Sequence, residues 1–162
     1  MLSRLQFILL LLLLGMSLAP MSARACPNPD AAAGSLLRET GVGLRWGTSV
    51  RVLAAGDQPL TDCPQVGVAR QTSATFTTAP TLQLELAGMI GLGIELRAVR
   101  GCAREFLIQT ADGTWYHRGP GMTGMVPPVV ISKVGNGPLR LWVGTAPEDR
   151  CRMRIEVSTV TN

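Results

Sequence analysis

The sequence is poor in the residue types on which most catalytic and metal sites depend. It has one histidine, His117, which excludes the commonest zinc sites and leaves few groups for acid–base catalysis. Only 4% of the residues are aromatic, and 15 basic against 11 acidic residues is too small a surplus to indicate a nucleic-acid partner. A hydrophobic content of 46% excludes a disordered chain, and a length of 162 residues is typical of one domain.

The N-terminal segment has the pattern of a secretory signal. Arg4 precedes an apolar run over residues 7–14, and residues 23–25 close the segment with an A-x-A pattern. The run is shorter than the roughly 20 residues that span a bilayer, so we predict a cleaved signal peptide at 1–25 and not a retained anchor. The mature chain, 26–162, is then a single domain with 13 basic and 11 acidic residues.

Cleavage at this position would make Cys26 the first residue, as in bacterial lipoproteins. Lipoprotein signals usually carry leucine at −3 and a small residue at −2, whereas Ala23 and Arg24 stand there. We therefore do not expect a lipid anchor, and no later segment is apolar enough to span a membrane. The sequence predicts a periplasmic or extracellular protein that is not integral to a membrane.

All four cysteines lie in the mature chain. An even number in an oxidising compartment predicts two disulfides, and no C-x-x-C spacing supports a metal site. Four cysteines allow three pairings, of which we favour Cys26–Cys63 with Cys102–Cys151. The second pair precedes two strand-like runs, 103–109 and 152–158, so this bridge would tie the last strand to a central one.

Alternation of apolar and polar residues is the dominant pattern, and it predicts half-buried β-strands. The alternating runs are residues 50–52, 82–86, 94–98, 139–143 and 151–157. A continuous apolar run at 106–108 is typical of a strand covered on both faces. Turns rich in glycine and proline separate the runs, so we predict an all-β fold, an antiparallel sandwich or barrel.

The start of the mature chain has weaker signals. Residues 31–40 could hold a turn or two of helix, which Gly34 weakens. We interpret 26–45 as a loosely packed lead-in that the first disulfide holds.

The sequence offers little for catalysis. His117 follows a hairpin turn at Asp112-Gly113, and no G-x-S-x-G motif is present, so we interpret it as a surface hairpin histidine. The one adjacent acidic pair, Glu148-Asp149, lies in a proline-containing turn and is interpreted as solvated turn charge. We predict a protein that is not an enzyme and that has no metal and no cofactor. In the alternative, an enzyme whose site no motif reveals, His117 is the residue to test.

Two groups of residues are possible ligand-binding sites. They are an arginine row on the last strand and an aromatic group with its adjacent histidine: Arg150, Arg152, Arg154, Trp115, Tyr116, His117 and Trp142. The arginine row could bind an anionic polysaccharide or phosphate, but protection of an edge strand against aggregation is favoured. The aromatic group could stack on carbohydrate, but packing in the core or at its rim is favoured.

The segment 88–93 is an unusually apolar connection between two strand runs. Its glycines do not match a dinucleotide fingerprint, because no helix follows them. We interpret it as a mobile loop. Alternatively, it contacts a partner protein through Met89, Ile90 and Leu92.

The order of features from Leu82 onward resembles a known family. The segments that carry the resemblance are residues 95–99, Cys102, 106–108, 111–116, 128–131, 137–145 (with Trp-Val-Gly-Thr at 142–145) and Cys151. They cover about half of the chain and resemble the secreted modules of the bacterial pre-peptidase C-terminal type, in particular stand-alone and tandem versions exported by alphaproteobacteria.

This resemblance implies a jelly-roll-like β-sandwich with a Cys102–Cys151 bridge, acting as a non-catalytic companion of secreted enzymes. The chain has no room for a peptidase domain, so it would be a free-standing module. Family members usually carry an acidic run after the Trp-Tyr position, a plausible calcium site. Residues 117–121 lack a carboxylate, so no calcium site is expected here.

The function predicted from the sequence is that of an exported, non-catalytic binding or accessory module whose partner is a protein or a glycan. A different possibility is an inhibitor or chaperone-like partner of a secreted peptidase, acting through an exposed loop at 117–128.

Overall fold

A computed structural model describes residues 26–67 and 72–161 of the chain. The predicted signal peptide, 1–25, lies outside the described residues. The strands are β1 (Leu36–Thr40), β2 (Thr48–Ala55), β3 (Gln58–Pro59), β4 (Thr75–Phe76), β5 (Leu82–Ala87), β6 (Leu92–Arg100), β7 (Glu105–Gln109), β8 (Trp115–Arg118), β9 (Val129–Ile131), β10 (Gly137–Gly144) and β11 (Arg150–Thr161). Short 3₁₀ turns span Gly43–Trp46, Leu60–Asp62 and Pro64–Val66. Within the described part of the chain, no helix has the length and apolar character needed to cross a membrane.

The strands form two large sheets and one small one. The five-stranded sheet has the order β1-β5-β10-β7-β8, the four-stranded sheet has the order β2-β11-β6-β9, and β3 pairs with β4. Neighbouring strands are antiparallel except β1, which runs parallel to β5. The predicted all-β class is confirmed, and the antiparallel arrangement holds apart from β1.

One apolar core lies between the two large sheets. It receives alternate side chains from β5 and β10 on one side and from β2, β6 and β11 on the other. On β11, for example, Met153, Ile155 and Val157 are buried, and the residues between them are exposed. The predicted alternation is therefore confirmed, and the two sheets pack face to face through their inward residues.

A second apolar cluster lies on the outer face of the five-stranded sheet. Residues 58–67 and 72–78, called the cover below, pack there against Leu107 of β7 and Trp142 of β10. Phe106 and Ile108 on either side of Leu107 point into the main core, so all three are fully buried. The prediction of a strand covered on both faces is confirmed.

Both favoured disulfides are confirmed. Cys26 bonds to Cys63 and thereby fastens the start of the described chain to the cover. Cys102, just before β7, bonds to Cys151 of β11 and so links the two large sheets. Two disulfides are typical of proteins from an oxidising, extracellular-type compartment.

The interpretation of residues 26–45 as a loosely packed lead-in held by the first disulfide is confirmed for the disulfide and wrong for residues 36–40. Residues 36–40 are neither helical nor loosely packed but form β1, in register with β5 from Leu36–Gln83 to Thr40–Ala87. Leu37 packs against the main core, and Gly34 N–H donates to Pro80 O at 2.9 Å. Pairing with a buried strand therefore overrides the weak local helix signal.

Candidate functional site

The outer face of the four-stranded sheet carries a concentration of positive charge. Arg154 on β11 lies directly opposite Arg51 on β2 and directly opposite Arg100 on β6. Arg152 follows on the same face of β11, two residues away. We call these four residues the arginine face. Because neighbouring strands are about 4.8 Å apart, three guanidinium groups start from backbones within about 10 Å.

The arginine face surrounds a shallow cavity of about 620 Å³, within the size range of ligand sites. All four arginines are exposed, and Leu53 adds an apolar side chain that is 48% exposed. Within the described part of the chain, none of the four guanidinium groups forms an ion pair with a carboxylate. The face therefore presents unpaired donors in planar forks that suit carboxylate, sulfate or phosphate groups.

The preferred interpretation of the arginine row, protection of an edge strand, is wrong for Arg154, which has β2 on one side and β6 on the other. β6 pairs with β11 only from Arg154 onward, so Arg150 and Arg152 lie on a stretch paired with β2 alone, and for them the interpretation stays a prediction. The structure also divides the row. Arg150 lines a separate cavity beside Asp57, Glu148 and Asp149, whereas Arg152 and Arg154 belong to the arginine face.

A second cavity, of about 350 Å³, lies on the same sheet face, farther along the strands. We call it the tryptophan cavity, because Trp46 lines it with a side chain that is 95% exposed. Two arginines and two glutamates also line it, so the charges around the cavity cancel. These residues are Arg45, Arg97, Glu95 and Glu156. Ser49 and Ser158 add hydroxyl groups.

Trp46 is held by the short turn that leads into β2. Leu44, two residues earlier, is fully buried in the main core and anchors the turn. Gly43 N–H donates to Thr40 Oγ1 at 3.0 Å, and Gly47 ends the turn with φ +76°, a conformation that favours glycine. The turn thus fixes the backbone that carries the exposed indole.

Glu95 and Arg97 fix each other in the wall of the tryptophan cavity. Arg97 Nη2 donates to Glu95 Oε1 at 2.8 Å. This hydrogen bond and the negative charge of Glu95 raise the pKa of Arg97 above its ordinary value. The pair therefore offers a planar donor and a planar acceptor in defined positions.

The predicted aromatic surface for carbohydrate is not formed. Trp142 is fully buried, donates from Nε1 to Thr78 O at 3.1 Å, and packs on Trp115 with ring centroids 5.2 Å apart. Tyr116 is exposed at the opposite face of β8. The cover explains this outcome, because it turns the outward position of Trp142 into a second core, as the packing interpretation expected.

The interpretation of His117 as a surface residue is wrong. Its side chain is 15% exposed, and Nε2 lies 2.8 Å from Oε2 of Glu105, which is buried. The Thr72 hydroxyl donates to the same carboxylate oxygen. Ser–His–Asp chemistry places the imidazole between hydroxyl and carboxylate, whereas here the carboxylate lies between the other two. The contact joins β7 and β8 and satisfies a buried acid.

The apolar loop 88–93 does not present the predicted contact patch. Met89 is buried, and its backbone N–H donates to Asn136 Oδ1 at 2.9 Å. Leu92 packs against the main core, so Ile90, at 91% exposure, is the one member that projects into solvent in this described loop. Single exposed apolar residues are common on protein surfaces and do not define an interface.

Two other expectations concern loops and metals. In the loop 117–128, Met122 is fully exposed and Met125 is 40% exposed. Its role as an inhibitory loop stays a prediction.

Over residues 26–67 and 72–161, no group of three or more histidine, cysteine, aspartate or glutamate side chains is arranged to hold a metal.

Sequence reasoning missed three residues of the site. Arg51 lies in a recognised alternating run, so its outward position was predictable, but its position opposite Arg154 depends on strand order. Arg100 meets Arg154 beside a β-bulge that no sequence pattern marks. Trp46 precedes its strand within a 3₁₀ turn, where period-two reasoning does not apply.

No model of a known protein family matches the chain, and no curated protein matches it either. The function is therefore argued from the arrangement of side chains.

Proposed function

We propose that this protein is an exported, non-catalytic binding module that holds an anionic ligand on the arginine face. The observation that carries the proposal is the row of Arg51, Arg154 and Arg100 across three adjacent strands. Like charges directly opposite each other destabilise a sheet. An anionic ligand relieves this repulsion, so the row fits a binding role better than a structural one.

The spacing of the arginines favours a ligand with several anionic groups. The row extends about 10 Å across the strands, and Arg152 lies about 7 Å from Arg154 along β11. A single phosphate or sulfate carries at most about two negative charges and cannot neutralise all four guanidinium groups. A ligand with charges spaced along a chain can, and each ion pair with an exposed arginine contributes about 0.2–1 kcal/mol.

The proposal also includes where the protein is located and that it is not a catalyst. A signal peptide at 1–25 would deliver the chain to the periplasm or the medium, and the two disulfides suit such a compartment. The resemblance to pre-peptidase C-terminal modules supports a non-catalytic role and stays a prediction. The Glu105–His117 contact supports the same role because it ties two strands together.

The test is calorimetric titration of the exported, oxidised protein with dextran sulfate. Replacing Arg51→Gln together with Arg154→Gln lowers the affinity at least about tenfold, because two charge-assisted contacts are lost. Raising the salt concentration weakens wild-type binding, because counterions compete for the same guanidinium groups.

The matched control is Arg38→Gln together with Arg118→Gln. Both residues are exposed on the five-stranded sheet, so this variant loses the same charge away from the arginine face. It keeps wild-type affinity within about twofold. Equal losses in the two variants would show that only net charge matters and would overturn the proposal.

A further inference from the structure

We infer that the tryptophan cavity is a sugar-ring subsite, so that the anionic ligand of the arginine face is an acidic polysaccharide. This inference rests on the proposed function and names its ligand class. It starts from the placement of two cavities on the same face of one sheet.

The two cavities form a continuous track along the strands. On β11, Arg152 and Arg154 line the first, and Glu156 and Ser158 line the second. On β2, Arg51 and Leu53 belong to the first, and Thr48 and Ser49 to the second. From Arg152 to Ser158 the track is about 20 Å long, since a strand rises about 3.3 Å per residue. A chain-like ligand can therefore occupy both cavities.

The two ends of the track have different charge. The arginine face has positive groups without ion-pair partners among the described residues, whereas the tryptophan cavity combines two arginines with Glu95 and Glu156. Inorganic polyphosphate has no neutral surface between its charges and would bring phosphates against these carboxylates, whereas an acidic sugar also presents the C–H and hydroxyl groups of its ring. The second cavity therefore favours a stretch of ligand that is neutral where it meets the glutamates.

The chemistry of the tryptophan cavity fits a pyranose ring. Such a ring has an apolar face of C–H groups and a rim of hydroxyl groups. The exposed indole of Trp46 offers a flat apolar surface for the first. Glu95, hydrogen-bonded to Arg97, offers an oriented acceptor beside an oriented donor for the second.

The combination identifies a polysaccharide of acidic sugars, with its anionic groups on the arginine face and one ring against Trp46. The probes are an oligogalacturonate and an inorganic polyphosphate of similar chain length, each titrated into the exported, oxidised protein. Replacing Trp46→Ala lowers the oligogalacturonate affinity about tenfold, equivalent to about 1.4 kcal/mol. The polyphosphate affinity changes by less than about twofold, because phosphates do not stack on the indole.

Two further variants separate stacking from other effects. Replacing Trp46→Phe keeps an aromatic ring and restores most of the oligogalacturonate affinity. Replacing Tyr116→Ala removes an exposed aromatic residue from the five-stranded sheet and leaves both affinities unchanged.

Fluorescence gives an independent measurement in the wild type. Trp142 is fully buried and Trp115 packs against it, so Trp46 supplies most of the emission that acrylamide quenches. Saturating oligogalacturonate protects this emission, and saturating polyphosphate does not.

The outcomes distinguish failure of the sugar subsite from failure of anion binding on the arginine face. If Trp46→Ala changes neither affinity while the double Arg51/Arg154 variant weakens both, the sugar subsite is overturned and the anion-binding function stands. If Trp46→Ala weakens both probes equally, the assignment to a polysaccharide is overturned. If neither probe binds the wild type, both proposals are overturned.

Discussion

The two large sheets follow the same alternating pattern, yet their outer faces differ. The five-stranded sheet has its outer residues Leu107 and Trp142 buried under the cover, which the disulfide Cys26–Cys63 fastens. The four-stranded sheet leaves its arginines and its neighbour Trp46 exposed. One face is thus completed by the protein's own chain, and the other is open to solvent and to a ligand. An outward strand position therefore does not by itself mean exposure.

The largest expected effect is on the free energy of unfolding and compares a tryptophan under the cover with one on the open face. Trp142→Ala leaves a large void under the cover and removes the hydrogen bond to Thr78, so we expect a loss of about 3–5 kcal/mol in the free energy of unfolding. Trp46→Ala, on the open face, changes this free energy by less than about 0.5 kcal/mol. Urea unfolding measures both. Similar losses in the two variants would contradict the division into a covered and an open face.

The next effect concerns the bond that fastens the cover. Replacing Cys26→Ser with Cys63→Ser removes a cross-link over 37 residues and costs about 2–4 kcal/mol. It also loosens the cover, so in a Trp46→Phe background acrylamide quenches more of the Trp142 emission before global unfolding. Replacing Cys102→Ser with Cys151→Ser is the control, because this bond lies away from the cover. Equal exposure of Trp142 in both variants would be evidence against a separately fastened cover.

A smaller effect tests how closely the cover approaches the sheet. A Cβ atom on Gly144 would come within 2.7 Å of the Phe76 ring, which is fully buried. Gly144→Ala therefore costs about 1–3 kcal/mol by overpacking. The control is Gly119→Ala, where the nearest atom would be 3.9 Å away in His117. Thermal unfolding of the two variants gives the comparison, and an unchanged Gly144→Ala midpoint would show that Phe76 moves freely.

The smallest effect has the opposite sign and concerns the open face. Arg154 lies between Arg51 and Arg100, so Arg154→Gln removes two repulsions and stabilises the protein by about 0.2–1 kcal/mol. The gain decreases at high salt, where exposed charges are screened. The same variant binds dextran sulfate more weakly. A variant that lost both stability and affinity would show that Arg154 has a structural role.

The sequence predicts the inward half of each sheet better than the outward half. The leucines of 82–86 and the apolar residues of 151–157 follow a local pattern, and the structure places both in the main core. These alternations depend on short stretches of chain, which a sequence shows directly. The disulfide pairing does not, because each bond joins cysteines 37 or 49 residues apart, and the sequence alone leaves three pairings open.

The open face depends on strand order and register, which the sequence does not show. Nothing local indicates that β11 is central, or that Arg51 and Arg100 flank Arg154. Likewise, nothing near Trp142 indicates that residues 58–67 and 72–78 fold over it. The strongest predicted aromatic candidate was therefore a core residue, and Trp46, an exposed residue in a turn, was missed.

The position of the Cys26–Cys63 bond determines how the protein is oriented when it is attached through its N terminus. The bond lies at the cover, outside the five-stranded sheet, while the arginine face lies on the far side of the four-stranded sheet. A surface or fused domain joined just before residue 26 therefore adjoins the cover side. The arginine face then points away from the attachment and stays accessible to a polymer too large to pass beneath the protein.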